Sequence, residues 1–167
     1  TPLLTLIERR PWTLLRLGRL FGSTQARLHR IPAADELRAT APRDWAFRVK
    51  EEHTAFAEEA MTIAPATDTL VHLDYHPLNV IVDGRGAASV IDWSYAAAAD
   101  PRVDLAVTAA TLLAAPAPPG PARPVLNMMR SLLICLWESG YRATAGSLPD
   151  YRVLLPWAGA MLLAQTE

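Results

Sequence analysis

A mainly helical fold with one embedded β-hairpin is what this 167-residue sequence predicts, and three observations carry that prediction. Apolar residues recur at helical spacing through long segments such as "TLLRLGRLFGSTQARLHRI". One region alone, "NVIVDGRGAASVID", sets two short β-branched runs on either side of a turn. The proline run "PAPPGPARP" then separates apolar segments that are again helical in texture. Hydrophobic residues make up 51% of the chain, enough for a substantial core, and neither a repeat nor an inter-domain linker is visible. Residues 1–167 are therefore expected to form a single domain.

From Thr13 to Ile31, Leu14, Leu17, Phe21 and Leu28 fall on one helical face while Arg16, Arg19, Arg27 and Arg30 fall mostly on others. Pro32 closes this core-facing helix. Asp35 to Met61 is more polar, with "TAPRDW" reading as a break and "EEHTAFAEEAM" as an exposed helix. Between Thr69 and Trp93, "NVIV", "DGRG" and "ASVIDW" read as strand, turn and strand. After "AAAADPR" a helix is expected near Val103, running through "VDLAVTAATLLAA". The proline loop forbids regular structure until Val125, and two apolar helices follow, roughly Val125 to Ser139 and Tyr151 to Gln165.

Charge excludes some functions. The net charge is −1 and the arginines are dispersed, so there is no basic stripe for a nucleic acid and no polybasic patch for a membrane; the expected partner is a small molecule. Apolar runs fall short of the roughly 20 residues a membrane span needs, and the N-terminus lacks the layout of a signal peptide, so a cytoplasmic protein is expected. The single cysteine, Cys135 in "LLICLW", reads as a buried, inert thiol in a reducing compartment. Trp12, Trp45, Trp137 and Trp157 read as core or half-buried aromatics, and His29 as a residue that caps or packs a helix end. Glu51, Glu52, Glu58 and Glu59 read as a solvated helix face, the competing reading being an acidic group that attracts a cationic substrate.

The chemistry concentrates in "HLDYHPLN" and the hairpin after it. His72 stands two residues before Asp74, Asp74 five before Asn79, and Asp92 ends the second strand. Antiparallel pairing of the strands returns the chain to its starting point, which brings Asn79 and Asp92 towards each other. An amide oxygen and a carboxylate so placed are hard donors of the kind Mg²⁺ takes. Asp74, held by the turn containing Pro77, is placed to accept the proton of an attacking hydroxyl. A competing reading gathers His72, Asp74 and His76 as ligands of a zinc-dependent hydrolase, since imidazole and carboxylate also suit zinc. Asp92 alone would be a strand-end turn former, and Asp104 a helix N-terminal carboxylate favoured by the macrodipole.

The pattern H-x-D-x-x-x-x-N followed by a strand-borne "IDW" resembles the C-terminal lobe of the aminoglycoside phosphotransferase and choline-kinase-like superfamily, distant relatives of protein kinases. "LGRLFGSTQARLHRI" is similar to that family's helix ending in Leu-His, and "DPRVDLAVTAATLL" to its helix-opening Asp-Pro-x-x-Asp-Leu-Ala segment. The matching elements run from about Leu14 to Leu113. The resemblance implies a protein-kinase-like C-terminal lobe that transfers the γ-phosphoryl group of ATP, with Mg²⁺, to a hydroxyl of a small-molecule acceptor. It makes Asp74 the catalytic base or hydroxyl-orienting carboxylate, His72 the brace of the catalytic loop, and Asn79 and Asp92 the magnesium ligands. Ile81 and Ile91 become part of the apolar floor under adenine, and Asp104 the tie between its helix and the catalytic loop. Two positions depart from the family: Leu73 and Ala99 stand where glycine is common, which bears on the loop's backbone geometry.

The family's N-terminal lobe, with a phosphate-covering loop and a strand lysine, has no counterpart here; the only lysine is Lys50, in a polar helical stretch. The expectation is a helical lobe whose N-terminal partner lobe is absent from this chain, inactive by itself and active in the intact parent. The alternative is a non-catalytic lobe that binds a ligand or partner, or oligomerises, through an exposed face.

Overall fold

A computed structural model describes residues 1–38, 43–65, 67–116 and 119–165. The elements in chain order are helices α1 (Leu3–Arg9), α2 (Leu14–Leu28), α3 (Asp35–Arg38), α4 (Arg43–Ala46) and α5 (Thr54–Ile63), then strands β1 (Leu70–Val71), β2 (Val80–Val82), β3 (Ala88–Val90) and β4 (Ala97–Ala98). Helices α6 (Pro101–Ala114), α7 (Arg123–Ala145) and α8 (Leu155–Gln165) complete the chain. The described residues are thus mostly helical, with two small antiparallel sheets, β1 with β4 and β2 with β3. The chain divides into two compact units.

The first unit comprises Thr1–Arg27, His76–Ile91 and Leu112–Leu148. Leu14, Leu17 and Phe21 on α2 are buried as the helical period predicts, beside Leu3 and Ile7 of α1 and Leu133, Leu136, Trp137 and Tyr141 of α7. Where α2 and α7 meet, the Trp137 indole donates to Oε1 of the fully buried Gln25 at 2.7 Å, so neither polar group is left unsatisfied. The predicted hairpin is present, in the register Val80↔Val90, Ile81↔Ser89 and Val82↔Ala88. Its turn is closed by Asp83, whose Oδ1 accepts from the amides of Arg85 and Ala87 at 2.8 and 2.9 Å. Pro2 bridges to Ile81, and the Val82 amide donates to the Thr1 carbonyl at 2.9 Å, so the first residues extend this sheet.

The second unit comprises Leu28–Tyr75, Asp92–Thr111 and Pro149–Glu167. Its core holds Trp45 and Trp157 edge to face, ring centres 5.2 Å apart, and the Trp157 indole donates to the Ala46 carbonyl at 2.8 Å. Strand β1 pairs with β4 through Leu70↔Ala98 and Val71↔Ala97, and Pro32 bridges to Thr69 beside them. Helix α6 starts as Asp-Pro should. Asp100 Oδ1 accepts the Arg102 amide at 2.8 Å, and Pro101 fills the first helical position, where no N–H is needed.

Several expectations are corrected. The proline loop ends earlier than predicted, because Pro124 sits at the start of α7, where a missing N–H costs nothing. Helix α7 then runs on to Ala145 and is terminated by Gly146 at φ 90. Cys135 is exposed, since the buried stripe of α7 is Leu133, Leu136, Trp137, Gly140 and Tyr141 and Cys135 lies off it. Trp12 is 76% exposed, in contrast to the buried Trp45, Trp137 and Trp157. Helix α1 and the β1–β4 sheet were not anticipated, and residues 40–42 of the expected "TAPRDW" break lie outside the described residues.

Candidate active site

The segment after β1 cannot continue as a strand, because Leu73 has φ 60 and so leaves the extended region. A left-handed leucine needs its amides held by something other than a neighbouring strand, and a carboxylate on α6 supplies the acceptor. Asp104, fully buried, receives the Leu73 amide at 2.6 Å and the His72 amide at 3.2 Å on the same oxygen, Oδ1. Its other oxygen, Oδ2, receives Nε2–H of His29 at 2.9 Å. A buried carboxylate with three donors satisfies the requirement that such a group be fully hydrogen-bonded. Asp104 therefore ties α6 to the loop.

His72 is also completely buried. Its Nδ1 accepts the Asp74 amide at 3.3 Å. The ring lies 4.8 Å from that of Trp93 and 6.1 Å from that of Tyr75. This geometry makes His72 a brace for the loop and leaves Asp74 half-buried at its apex. The Trp93 contact also sets the segment that begins at Asp92 against the loop. Asp92 is exposed, has φ 62, and its Oδ1 accepts the Ser94 hydroxyl at 2.7 Å. Leu73 and Asp92 are the two non-glycine residues with positive φ among those described.

His72, Asp74 and Asp92 thus belong to the second compact unit, while Asn79, Ile81 and Ile91 belong to the first. Asn79 is nearly buried; its amide donates to the His76 carbonyl at 2.9 Å, and its carbonyl accepts the Ile91 amide at 3.0 Å, one step beyond the ladder of β2 and β3. Ile81 is half-buried, and Ile91 is 44% exposed, an apolar surface at the end of the hairpin. Asn79 carries an amide oxygen and Asp92 a carboxylate, each by its chemistry a hard donor of the kind Mg²⁺ takes.

The zinc reading finds no support in this arrangement. Nδ1 of His72 and Nδ1 of His76 each accept a backbone amide, from Asp74 and Leu78, both at 3.3 Å. Among the described residues no three His, Cys, Asp or Glu side chains gather as a metal-holding group. Nor does any helix among them reach the length and apolarity needed to cross a membrane.

Sequence reasoning missed the partnership of His29 with Asp104. The two residues are 75 positions apart, and only the tertiary fold brings them together. The Asp100–Arg102 clamp was equally unseen: the guanidinium donates to both Asp100 oxygens and to the Ile63 carbonyl. The hydrogen bond from Asp100 holds the Arg102 guanidinium above its ordinary value, against the opposing effect of burial.

Searches of the curated proteins and of the solved structures each found no match. The family model described as "Phosphotransferase enzyme family" matches residues 5–130, about three quarters of the chain, including the loop, the hairpin and α6. The chain belongs to the phosphotransferase enzyme family.

Proposed function

We propose that this chain is the helical, acceptor-binding lobe of a kinase-like enzyme that transfers the γ-phosphoryl group of ATP to a hydroxyl of a small molecule. The observation that carries the reading is the pair of left-handed residues, Leu73 and Asp92. Backbone strain of this kind persists where the surroundings over-determine it, and it concentrates at functional sites. Here it falls beside Asp74 and on Asp92, the two carboxylates that the sequence motif nominates.

In this reading Asp74 orients the acceptor hydroxyl and takes its proton, while His72 and Asp104 fix the loop that carries it. Asn79 and Asp92 would hold Mg²⁺. When bound, the ion neutralises charge on the transferring phosphate, which is most of what phosphoryl transfer asks of a protein beyond positioning. Ile81 and Ile91 would supply apolar surface to the adenine. A companion lobe would bring the phosphate-covering loop and the lysine, and the chain by itself is expected not to turn over.

The test is transfer of labelled γ-phosphate from ATP to a panel of amino alcohols, sugars and aminoglycosides by the intact parent enzyme. Asp74→Ala and Asp92→Ala are each expected to lower kcat by about 10²–10⁴. Full activity in either variant would refute the assignment.

One observation favours a second reading, a partner-binding lobe without catalysis. Val125, Met128 and Leu132 on α7 are 53%, 64% and 39% exposed and lie on one helical stripe. A parent protein that is inactive with every acceptor yet self-associates would favour that reading.

A further inference from the structure

We infer that His29 is a positioning residue for the candidate catalytic loop, acting through Asp104. The argument begins with the amides of His72, Leu73 and Asp74. Three consecutive N–H groups donate to side chains: His72 and Leu73 to Asp104 Oδ1, and Asp74 to Nδ1 of His72. With Leu73 in the left-handed region, strand pairing is closed to them. The position of one carboxylate therefore decides whether this stretch keeps its shape.

Asp104 has two side-chain torsions, and its Oδ1 grips the loop only while the carboxylate keeps one orientation. Oδ2 is held at 2.9 Å by Nε2 of His29, whose side chain is 3% exposed. With the second oxygen fixed, rotation of the carboxylate would break the His29 bond and the loop bonds together. Removing the imidazole leaves a buried carboxylate oxygen short of a donor, and such a group turns toward whatever donor or water it can reach. The loop amides then lose their acceptor. His29 lies at the end of the helical segment that precedes Pro32, so its own backbone is set by α2 and by the Pro32–Thr69 bridge.

The inference rests on the phosphotransfer reading only for what the loop does, and its test separates the two. Hydrogen exchange is followed by mass spectrometry on the whole chain carrying His29→Leu or His29→Gln, with peptides covering residues 70–78 and the buried face of α7. The amides of His72, Leu73 and Asp74 are expected to exchange about tenfold faster or more in His29→Leu, as local opening would make them. His29→Gln, whose amide nitrogen reaches about as far as the imidazole Nε2, should restore most of the protection. The α7 amides should be unchanged.

Unchanged protection at 72–74 in His29→Leu would overturn the inference, and so would an equal acceleration of every peptide, which marks general destabilisation. Should His29→Leu not fold, His29→Asn, one carbon too short to reach Oδ2, gives the same comparison with Gln. In the active parent enzyme the loosened loop should appear as a fall in kcat with the KM for ATP unchanged. A loop that loosens while turnover stays constant supports the positioning role and refutes the assignment of Asp74.

Discussion

At Leu73 a left-handed backbone, which costs an L-residue about 1–2 kcal/mol, is combined with a side chain that is completely buried. Replacing it separates the two effects. Leu73→Ala loses the buried side chain and keeps the strain, so it should destabilise by about 2–5 kcal/mol. Leu73→Gly loses the same side chain but relieves the strain, so it should be less damaging than alanine by about 1 kcal/mol. In most sites glycine is the worse of the two, and the inverted order is the signature of the left-handed position. Urea midpoints of the three proteins at constant m-value read it directly, and the ordinary order would contradict the backbone described for this loop. Asp92 shares the conformation at less cost, since Asp tolerates the left-handed region better than most side chains.

Two elements stand on features that single substitutions reach. Helix α6 begins at Asp100, whose carboxylate caps the Arg102 amide and also takes the Arg102 guanidinium, which in turn donates to the Ile63 carbonyl at 2.7 Å. Asp100→Ala should therefore fall at the upper end of the cap range, about 2 kcal/mol, and thermal unfolding checks it. A loss within experimental error would mean the clamp is too solvated to matter. Helices α2 and α7 approach so closely that a Cβ on Gly22 would overlap the Trp137 carbonyl oxygen, and one on Gly140 the Arg19 carbonyl oxygen. Backbone cannot yield as a side chain can, so Gly22→Ala and Gly140→Ala are each expected to cost about 3 kcal/mol or more, or to prevent folding. Wild-type stability in either would disprove the close crossing.

At this scale the sequence was legible where a pattern is local. Leu14, Leu17, Phe21 and Leu28 announced α2, and "DGRG" between β-branched runs announced the hairpin. Strands β1 and β4 are two residues each, too short for alternation to show. The run "LLICLW" carries two helical stripes at once, and composition alone does not say that Cys135 belongs to the exposed one. For the site, the motif marked His72, Asp74, Asn79 and Asp92, but the acceptor that shapes the loop lies 31 residues beyond Leu73 and its own partner 75 residues before it.

For the whole molecule, membership of the phosphotransferase enzyme family points to phosphotransfer, while the surface decides how copies behave in solution. A net charge of −1 leaves almost no Coulomb repulsion between copies. Against that weak barrier stands the stripe of Val125, Met128 and Leu132 on α7, continued by the exposed Cys135 at the same helical spacing. Apolar contact is not screened by salt, whereas ion pairing is. The expected outcome is therefore self-association that rises with concentration and is undiminished in high salt, measured by sedimentation equilibrium under reducing conditions. The double variant Met128→Glu, Leu132→Glu changes both terms, adding like charge and removing apolar surface, and should lower the average mass. If the unsubstituted chain is monomeric throughout the micromolar range, or if salt dissociates it, the apolar stripe is not what joins copies.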